Sequence, residues 1–239
     1  MPDCPPVVSC LCVTENRAAF MPWLVWSFER QTWPNKELVV VDSSQSPLEN
    51  SEPRVRVVPM PPGTSIAGKR NRALDEARGA YIAWLDDDDW QHPARLSDLS
   101  APLLRGEADL AGATSGWFID LWKSRCAPYH PTGDLIFNSC LIRTELARTA
   151  RFDERLARAS DTPWIAELSL RARGRVAAVP RKTYVAWLCH DTNASNRRGA
   201  RKCLVPVSYL EKALGSDAWG ETEGELQALR ARLAPDADP

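Results

Sequence analysis

The residues best suited to chemistry in this chain are four consecutive carboxylates, Asp86 to Asp89, which follow the apolar residues 81–85. Two carboxylates about 4 Å apart repel by roughly 4 kcal/mol at an effective dielectric of about 20, so such a cluster needs a cation, protonation or full solvation. Asp86 and Asp88 have D-x-D spacing, which puts both carboxylates on one side of an extended chain. Hard divalent ions such as Mn²⁺ or Mg²⁺ prefer these oxygen ligands and complete their shell with substrate phosphates. The spacing predicts a metal site, with a solvated loop as the alternative.

A second carboxylate, Asp42, ends another apolar run, residues 37–41. Open α/β sheets bind ligands at the carboxyl ends of their strands. Asp42 is therefore predicted to accept a hydrogen bond from the base or ribose of a nucleotide, and the alternative is a strand-end cap or turn residue.

Basic residues follow Gly63-Thr64-Ser65 in the first part of a predicted helix, residues 66–78. Free backbone N–H groups at a helix N-terminus favour phosphate, and the planar guanidinium donates to it in pairs. Arg70 is the strongest candidate for a diphosphate contact, whereas Lys69 and Arg72 also fit a solvated helix face.

Strand and helix patterns alternate through the first half, which predicts an α/β fold with a mainly parallel sheet flanked by helices. The predicted strands there are residues 7–13, 37–42, 55–58 and 81–85, and the helices are residues 20–30, 66–78 and 93–104. In the second half we predict strands within 108–122 and at 139–143, 176–179 and 184–189, a loop at 126–134, and helices at 161–173, 205–214 and 222–233.

Composition excludes some functional classes. The 30 basic and 31 acidic residues give a net charge of −1, which argues against nucleic-acid binding. No apolar stretch approaches the ~20 residues of a membrane span, so we expect a soluble, cytoplasmic protein, with peripheral membrane contact left open. The seven cysteines form no C-x-x-C pair, and Cys10 and Cys12 are predicted to face the core together.

Residues 5–17, 38–43, 68–89 and 93–96 resemble, in order and spacing, the nucleotide-sugar half of the family 2 glycosyltransferases, which have the GT-A fold. The resemblance implies that Thr14 and Glu15 line the base, that Asp42 contacts base or ribose, and that Arg70 approaches the nucleotide. It also places Asp87 near the ribose and makes Asp86 and Asp88 the metal-binding D-x-D pair.

The implied donor is a nucleoside diphosphate sugar, with UDP as the favoured carrier and Mn²⁺ or Mg²⁺ as the metal. Two positions depart from the family pattern: Glu15 stands where an aromatic residue is frequent, and Ser43 where a second acidic residue is frequent. The missing aromatic ring puts the identity of the base in doubt.

Residues 152–156, 160–164 and 170–174 resemble the acceptor-binding stretch of the same family. There an acidic residue at a helix start is the catalytic base, and Asp161 is the matching position. Inverting transfer needs such a carboxylate to take the acceptor proton, and a helix-capping role for Asp161 is compatible with that. Asp153 and Glu154 are the alternative bases.

His190 follows a predicted strand and is similar to a late histidine of the family that could bind the metal or the diphosphate, with a structural role as the alternative. Trp117, Trp122 and Trp187 are candidate platforms for an acceptor sugar, or core residues.

The resulting hypothesis is an inverting, metal-dependent, hexosyltransferase-like enzyme that moves a sugar from a nucleoside diphosphate donor to the hydroxyl of a carbohydrate or another acceptor. Residues 1–107 would bind the nucleotide sugar, residues 108–203 the acceptor, and residues 204–239 would form a helical tail. The alternatives are a non-catalytic nucleotide-sugar or carbohydrate-binding module and, less favoured, a sugar nucleotidyltransferase.

Overall fold

Four apolar segments of the first half form the parallel strands that carry the predicted site in a computed structural model of the protein. They are β1 (Val8–Thr14), β2 (Lys36–Asp42), β3 (Val55–Pro59) and β4 (Tyr81–Trp84). The structure describes residues 4–49, 52–129, 135–156, 161–179, 184–190, 205–206, 209 and 216–234. β1 lies between β2 and β4, and β2 also pairs with β3, all in parallel. The predicted parallel arrangement is confirmed.

The remaining described strands are short. They are β5 (Asp89–Gln91), β6 (Leu110–Ala113), β7 (Gly116–Asp120), β8 (Arg125–Tyr129), β9 (Leu141–Arg143), β10 (Val176–Val179), β11 (Val185–Cys189) and β12 (Val205–Pro206). One sheet has the order β10-β6-β9-β4-β1-β2-β3, in which β9 runs antiparallel to both of its neighbours. Strands from both sides of residue 107 therefore share this mixed sheet and its core.

Helices cover the sheet between these strands. They are α1 (Met21–Glu29), α2 (Ile66–Glu76), α3 (Arg95–Leu104), α4 (Thr144–Ala147), α5 (Asp161–Arg171) and α6 (Ser216–Leu233). α2 begins where predicted because Ser65 caps it: the Ser65 hydroxyl accepts a hydrogen bond of 3.0 Å from the Gly68 N–H. No helix in the described ranges is both long and apolar enough to cross a membrane.

The second sheet, of order β12-β8-β7-β11-β5, corrects two predictions. Residues 126–129, predicted as loop, belong to β8 because they pair antiparallel with β7. Residues 205–206, predicted as the start of a helix, form β12 because Val205 pairs with Cys126. The last helix starts at Ser216 rather than at residue 222. The rest of the predicted helix 205–214 lies outside the described residues, apart from position 209.

Alternation along β1 divides the core between the two faces of the larger sheet. Val8, Cys10 and Cys12 are buried in one cluster with Leu38 and Val40. Leu11 lies in the other cluster, against the ring of Trp84 and the apolar side of α2. The prediction that Cys10 and Cys12 face the core on the same side is confirmed, and burial raises the pKa of the Cys10 thiol to about 12.

Candidate active site

The four carboxylates lie at the carboxyl edge of the larger sheet, but each has different partners. Asp86 is the second residue after β4, and its Oδ2 atom is 3.5 Å from the Asn138 amide nitrogen. Burial raises the pKa of Asp86 to about 6; the charge of Arg70 opposes this rise, and the charges of Asp88 and Asp161 add to it. Asp86 thus lies where an added positive charge would be stabilising.

Asp87 faces the end of β1. Its carboxylate accepts a 2.6 Å hydrogen bond from the Thr14 hydroxyl. It also forms an ion pair with Arg17, whose Nη1 atom is 3.0 Å away. Burial nevertheless raises the pKa of Asp87 to about 7. Its side chain is 2% exposed. The hydrogen bond puts Asp87 and Thr14, two of the predicted donor-binding residues, in direct contact.

Asp88 faces Arg17 and His190. Its Oδ2 atom is 2.6 Å from Arg17 Nη2 and 3.2 Å from His190 Nε2. Burial alone would raise the pKa of Asp88, but the hydrogen bond from His190 and the charge of Arg17 lower it to about 2. His190 is buried, with its ring 4.8 Å from that of Phe20. The structure therefore places His190 in contact with Asp88, and the metal-binding role of this pair stays a prediction.

Asp89, the last of the four carboxylates, is held by Asn138. It begins β5, is buried, and accepts a hydrogen bond from the Asn138 amide. Burial raises the pKa of Asp89 well above its usual range. Arg95, fully buried behind the cluster, donates to the carbonyl oxygens of Trp84 and Asn138. Asn138 and Arg95 therefore fix the backbone around the acidic cluster.

The carboxylate oxygens of Asp86 and Asp88 are hard ligands of the kind that suits a divalent ion with further ligands from a diphosphate. Asp86 and Asp88 are the carboxylates with D-x-D spacing, and burial is the main cause that raises the pKa of Asp86. Within the described ranges, no three acidic, histidine or cysteine side chains converge as a ready-made metal site. His190 contacts Asp88, whereas Asp86 turns to Asn138, so the three predicted metal ligands do not meet in one cluster.

Glu15 lies beside the ends of β1 and β2. Its carboxylate accepts hydrogen bonds from the Gly63 N–H at 2.9 Å and from Lys69 Nζ at 3.2 Å. Lys69 is buried and also donates to the Thr14 carbonyl and the Ser43 hydroxyl. The hydrogen bond from Gly63 and the ammonium of Lys69 hold the pKa of Glu15 below its usual range, against the effect of burial. Glu15 and Ser43, the two positions that depart from the family pattern, thus both contact the buried ammonium of Lys69.

Asp42, the last residue of β2, stabilises a turn. One carboxylate oxygen accepts hydrogen bonds from the backbone N–H and the hydroxyl of Ser44, and the other accepts a 3.0 Å bond from the Leu48 N–H. Asp42 is 2% exposed. Its bonds within the turn match the alternative interpretation, in which Asp42 is a strand-end cap or turn residue. Its contact with base or ribose stays a prediction.

Arg70 is enclosed by aromatic rings and faces Asp161. Its guanidinium carbon is 4.7 Å from the centre of the Phe137 ring and 5.4 Å from that of Phe152, with Trp84 slightly farther away. Its Nη2 atom is 3.9 Å from Asp161 Oδ2. The cage holds the guanidinium at the acidic cluster, as expected for a residue predicted to meet a diphosphate.

Asp161 is the first residue of α5, and its Oδ1 atom accepts a 2.9 Å hydrogen bond from the Thr162 N–H. Asp161 and Asp86 line one cavity of about 590 Å³, together with Tyr129, Phe137 and Trp187. Its other walls are Leu135, Ile136, Asn138, Thr162, Ile165, Ala166, Ser169 and Leu170. The cavity places both carboxylates beside a volume large enough for a sugar ring.

The two alternative bases lie elsewhere. Asp153 pairs with Arg155 at 2.8 Å, and Glu154 accepts a 3.0 Å hydrogen bond from the Asn71 amide. Neither residue lines the cavity described above. The geometry favours Asp161 as the base candidate.

Sequence reasoning missed three functional neighbours of the predicted site. Arg17 lies in the recognised segment but received no role, although its place just after β1 predicts proximity to the other strand ends. Asn138 and two rings of the aromatic cage, Phe137 and Phe152, come from the second half, where no local pattern connects them to Asp86 or Arg70. Of the tryptophan candidates, Trp187 lines the cavity and packs against Tyr129, whereas Trp122 is 41% exposed.

Comparison with known proteins agrees with this geometry. The model of Glycosyl transferase family 2 matches residues 9–150. TuaG of Bacillus subtilis (strain 168), a glycosyltransferase whose name assigns it to teichuronic acid biosynthesis, is 30% identical over 227 residues, covering 90% of this chain and 83% of its own. WcaA of Escherichia coli (strain K12), named for colanic acid biosynthesis, is 30% identical over 100 residues, covering 38% of this chain and 36% of its own.

Two groups of solved structures share the fold. S. aureus TarS with UDP-GlcNAc superposes with a TM-score of 0.65 at 16% identity, covering 87% of this chain and 70% of its own. The mannosyltransferase PcManGT from Pyrobaculum calidifontis, with GDP-Man and Mn²⁺, gives a TM-score of 0.56 at 15% identity, covering 98% and 77%. Together with the family match over more than half of its length, these findings establish that the chain is a glycosyltransferase of family 2 with the GT-A fold.

Proposed function

We propose that the protein is an inverting glycosyltransferase that uses a nucleoside diphosphate sugar, with UDP as the favoured carrier, and a hydroxyl acceptor. The observation that carries this proposal is the position of Asp161: it lines the same cavity as Asp86 and lies 3.9 Å from Arg70. A candidate base and one carboxylate of the acidic cluster thus border one volume in which a sugar fits, and the guanidinium of Arg70 lies beside the base.

The diphosphate would lie against the acidic cluster and Arg70. Arg70 donates to its oxygens, and the aromatic cage keeps the guanidinium in place during the reaction. Asp86 and Asp88 would hold a divalent ion, which when bound neutralises the charge that grows on the departing diphosphate. TarS with UDP-GlcNAc and PcManGT with GDP-Man and Mn²⁺ are related folds with these components, which supports the assignment.

The acceptor would enter from the side of α5. Asp161 takes the proton of the acceptor hydroxyl while the hydroxyl oxygen forms a bond to the anomeric carbon of the sugar. At the same time, the bond from that carbon to the diphosphate oxygen breaks. The nucleoside diphosphate leaves with the bonding electron pair. Because attack and departure occur on opposite faces of the sugar, the anomeric configuration inverts.

A matched pair of substitutions tests the role of Asp161. Asp161→Asn removes the basic oxygen but keeps an acceptor for the Thr162 N–H, so α5 should remain folded. Asp153→Asn makes the same chemical change at a carboxylate that pairs with Arg155 outside the cavity. Turnover is measured as the hydrolysis of the UDP- or GDP-sugar that the wild type cleaves fastest. The affinity of each variant for UDP and for GDP is measured by calorimetry.

We expect kcat of Asp161→Asn to fall by about 10²- to 10⁴-fold, the usual contribution of a general base, with nucleotide affinity unchanged. Asp153→Asn should remain within about twofold of the wild type, as is usual for a surface change away from the site. Equal turnover by the two variants would exclude Asp161 as the base.

A further inference from the structure

Arg17 occupies the side of the acidic cluster where a divalent ion would bind. Its guanidinium bridges two neighbouring carboxylates, with Nη1 3.0 Å from Asp87 and Nη2 2.6 Å from Asp88. The same Nη2 atom is 3.3 Å from His190 Nε2. One side chain of this protein thus contacts a predicted ribose-binding residue and two of the three predicted metal ligands.

The backbone before Arg17 is fixed in a conformation that directs the side chain back to the cluster. Asn16 has a φ angle of 53°, in the left-handed region that few residues other than glycine adopt. This conformation is held by two hydrogen bonds: the Asn16 N–H donates to the Ser44 hydroxyl at 2.6 Å, and its side-chain oxygen accepts from the Gln45 N–H at 3.1 Å. The guanidinium also stacks on the ring of Phe20, 4.4 Å away. Arg17 is therefore positioned by its surroundings.

A guanidinium and a divalent cation at one carboxylate repel each other. A metal ion that approaches Asp88 must either share it with a positive charge at 2.6 Å or displace that charge. Arg17 has an alternative partner in a diphosphate, which accepts from guanidinium in pairs. Its side chain is 25% exposed, so the group can reach an incoming ligand.

We infer that Arg17 is an internal cation that competes with the divalent ion for Asp88 and moves to the diphosphate when the donor arrives. The inference rests on the proposed function for the identity of the donor. It makes metal and nucleotide binding positively coupled through the protein: either ligand strengthens the other, and the coupling passes through one arginine.

The test begins with Mn²⁺ alone, titrated into the full chain by calorimetry or by electron paramagnetic resonance of the free ion. Arg17→Gln removes the competing charge and is expected to bind Mn²⁺ about tenfold more tightly than the wild type, within the usual range of coupling between sites. Arg17→Lys keeps the charge but contacts one carboxylate at a time, so its affinity should be intermediate. Arg72→Gln, at an exposed arginine paired with Glu76, is the matched control and should equal the wild type.

The second part repeats the titration with UDP and with GDP. Mn²⁺ binds these nucleotides in solution equally in every titration, so the difference between variants isolates the contribution of the protein. Arg17→Gln should lose most of the strengthening of Mn²⁺ binding that the nucleotide produces in the wild type.

The inference is supported if Mn²⁺ affinity increases from the wild type to Arg17→Lys and again to Arg17→Gln. Equal or weaker Mn²⁺ binding by the variants, or no Mn²⁺ binding by any of them, overturns it. The thermal unfolding midpoint of each variant without metal is measured first, and if Arg17→Gln does not fold, a gain in Mn²⁺ affinity by Arg17→Lys over the wild type decides. The titration with Mn²⁺ alone uses no donor, so it can contradict the inference about Arg17 while the wild type still hydrolyses the donor. If instead the proposed function is wrong, the wild type does not hydrolyse the donor, and the Mn²⁺ affinities of the three proteins can still follow the expected order.

Discussion

At the scale of single residues, the surroundings of Arg70 determine what it can do. The guanidinium lies against Phe137 and Phe152 and 3.9 Å from Asp161. A planar cation between aromatic rings keeps its donors aimed in fixed directions, which an ammonium on a flexible chain cannot do. Arg70 is thereby suited to bind a diphosphate next to Asp161, the proposed base.

Replacing Arg70 by lysine should therefore be costly even though the charge is kept. We expect kcat/KM for donor hydrolysis to fall by more than about tenfold in Arg70→Lys, because loss of paired donors and stacking removes transition-state stabilisation worth at least about 1.4 kcal/mol. Arg72→Lys, on the exposed side of the same helix, is the control and should keep its activity. Unchanged kinetics in Arg70→Lys would show that Arg70 does not bind the reacting diphosphate.

The residue types at the site were predictable, but their partners were not. Asp42, Arg70 and Asp86 could be predicted because strand ends and helix starts are visible in local patterns. The bonds of Asp42 to Ser44 and Leu48 depend on how the following loop folds, which local patterns do not specify. Similarly, Asn138 reaches Asp86 from a segment 52 residues away, so no spacing rule connects them.

At the scale of elements, one carboxylate joins three strands of the second half. Asp109, just before β6, accepts hydrogen bonds from Arg175, just before β10, and from Arg143 at the end of β9. The bonds from Arg175 and Arg143 lower the pKa of Asp109 to about 2, against the effect of burial. This ion-pair cluster fastens an edge of the larger sheet.

The lowered pKa of Asp109 predicts a pH dependence of stability. The unfolded pKa of aspartate is about 3.9, so between that value and the folded pKa the unfolded chain binds more protons, and the stabilisation is lost as the pH falls. We expect the difference in unfolding free energy between the wild type and Asp109→Asn to be largest at about pH 5 and to shrink toward pH 3. Urea unfolding at several pH values measures it.

Glu107→Gln provides the control, because that exposed carboxylate pairs with Arg105 on the surface. Its effect should not change measurably with pH, since exposed pairs are screened by solvent. A difference for Asp109→Asn that stays constant from pH 5 to pH 3 would contradict the assigned role of the ion-pair cluster.

Prediction of the elements succeeded where the pattern was local. The buried strands β1, β2 and β4 are continuous apolar runs, and α2 has a recognisable cap. β8 and β12 were missed because they contain Pro128 and Pro206, which disfavour strands, and because their pairing depends on partners distant in the chain.

At the scale of the whole molecule, α6 closes the far side of the second sheet. Thr222 accepts a 2.9 Å hydrogen bond from the indole N–H of Trp90, and Leu226 and Leu229 are buried in the cluster that contains Trp23 and Trp90. Trp90 directly follows the acidic cluster, so the packing of α6 supports the strand on which Asp89 lies. The described part of the tail is thus integral to the core beneath the site.

The two halves of the chain, before and after residue 107, together form one site. The first half contributes the acidic cluster and Arg70, the second half contributes Asp161 and most of the wall of the cavity, and the shared sheet holds them together. In the proposed mechanism, Asp161 acts from the side of the sugar opposite the diphosphate, and inversion is the stereochemistry that this mechanism predicts. This outcome is a property of the complete molecule, because neither half contains all the required groups.

The most direct test of this account is the anomeric configuration of the sugar first released from a UDP-α-sugar by the wild-type protein. Proton NMR during the first turnovers reads it from the anomeric coupling constant before mutarotation. Direct displacement in the cavity between Asp86 and Asp161 predicts that the β anomer appears first. First release of the α anomer would contradict a single inverting displacement with Asp161 as the base.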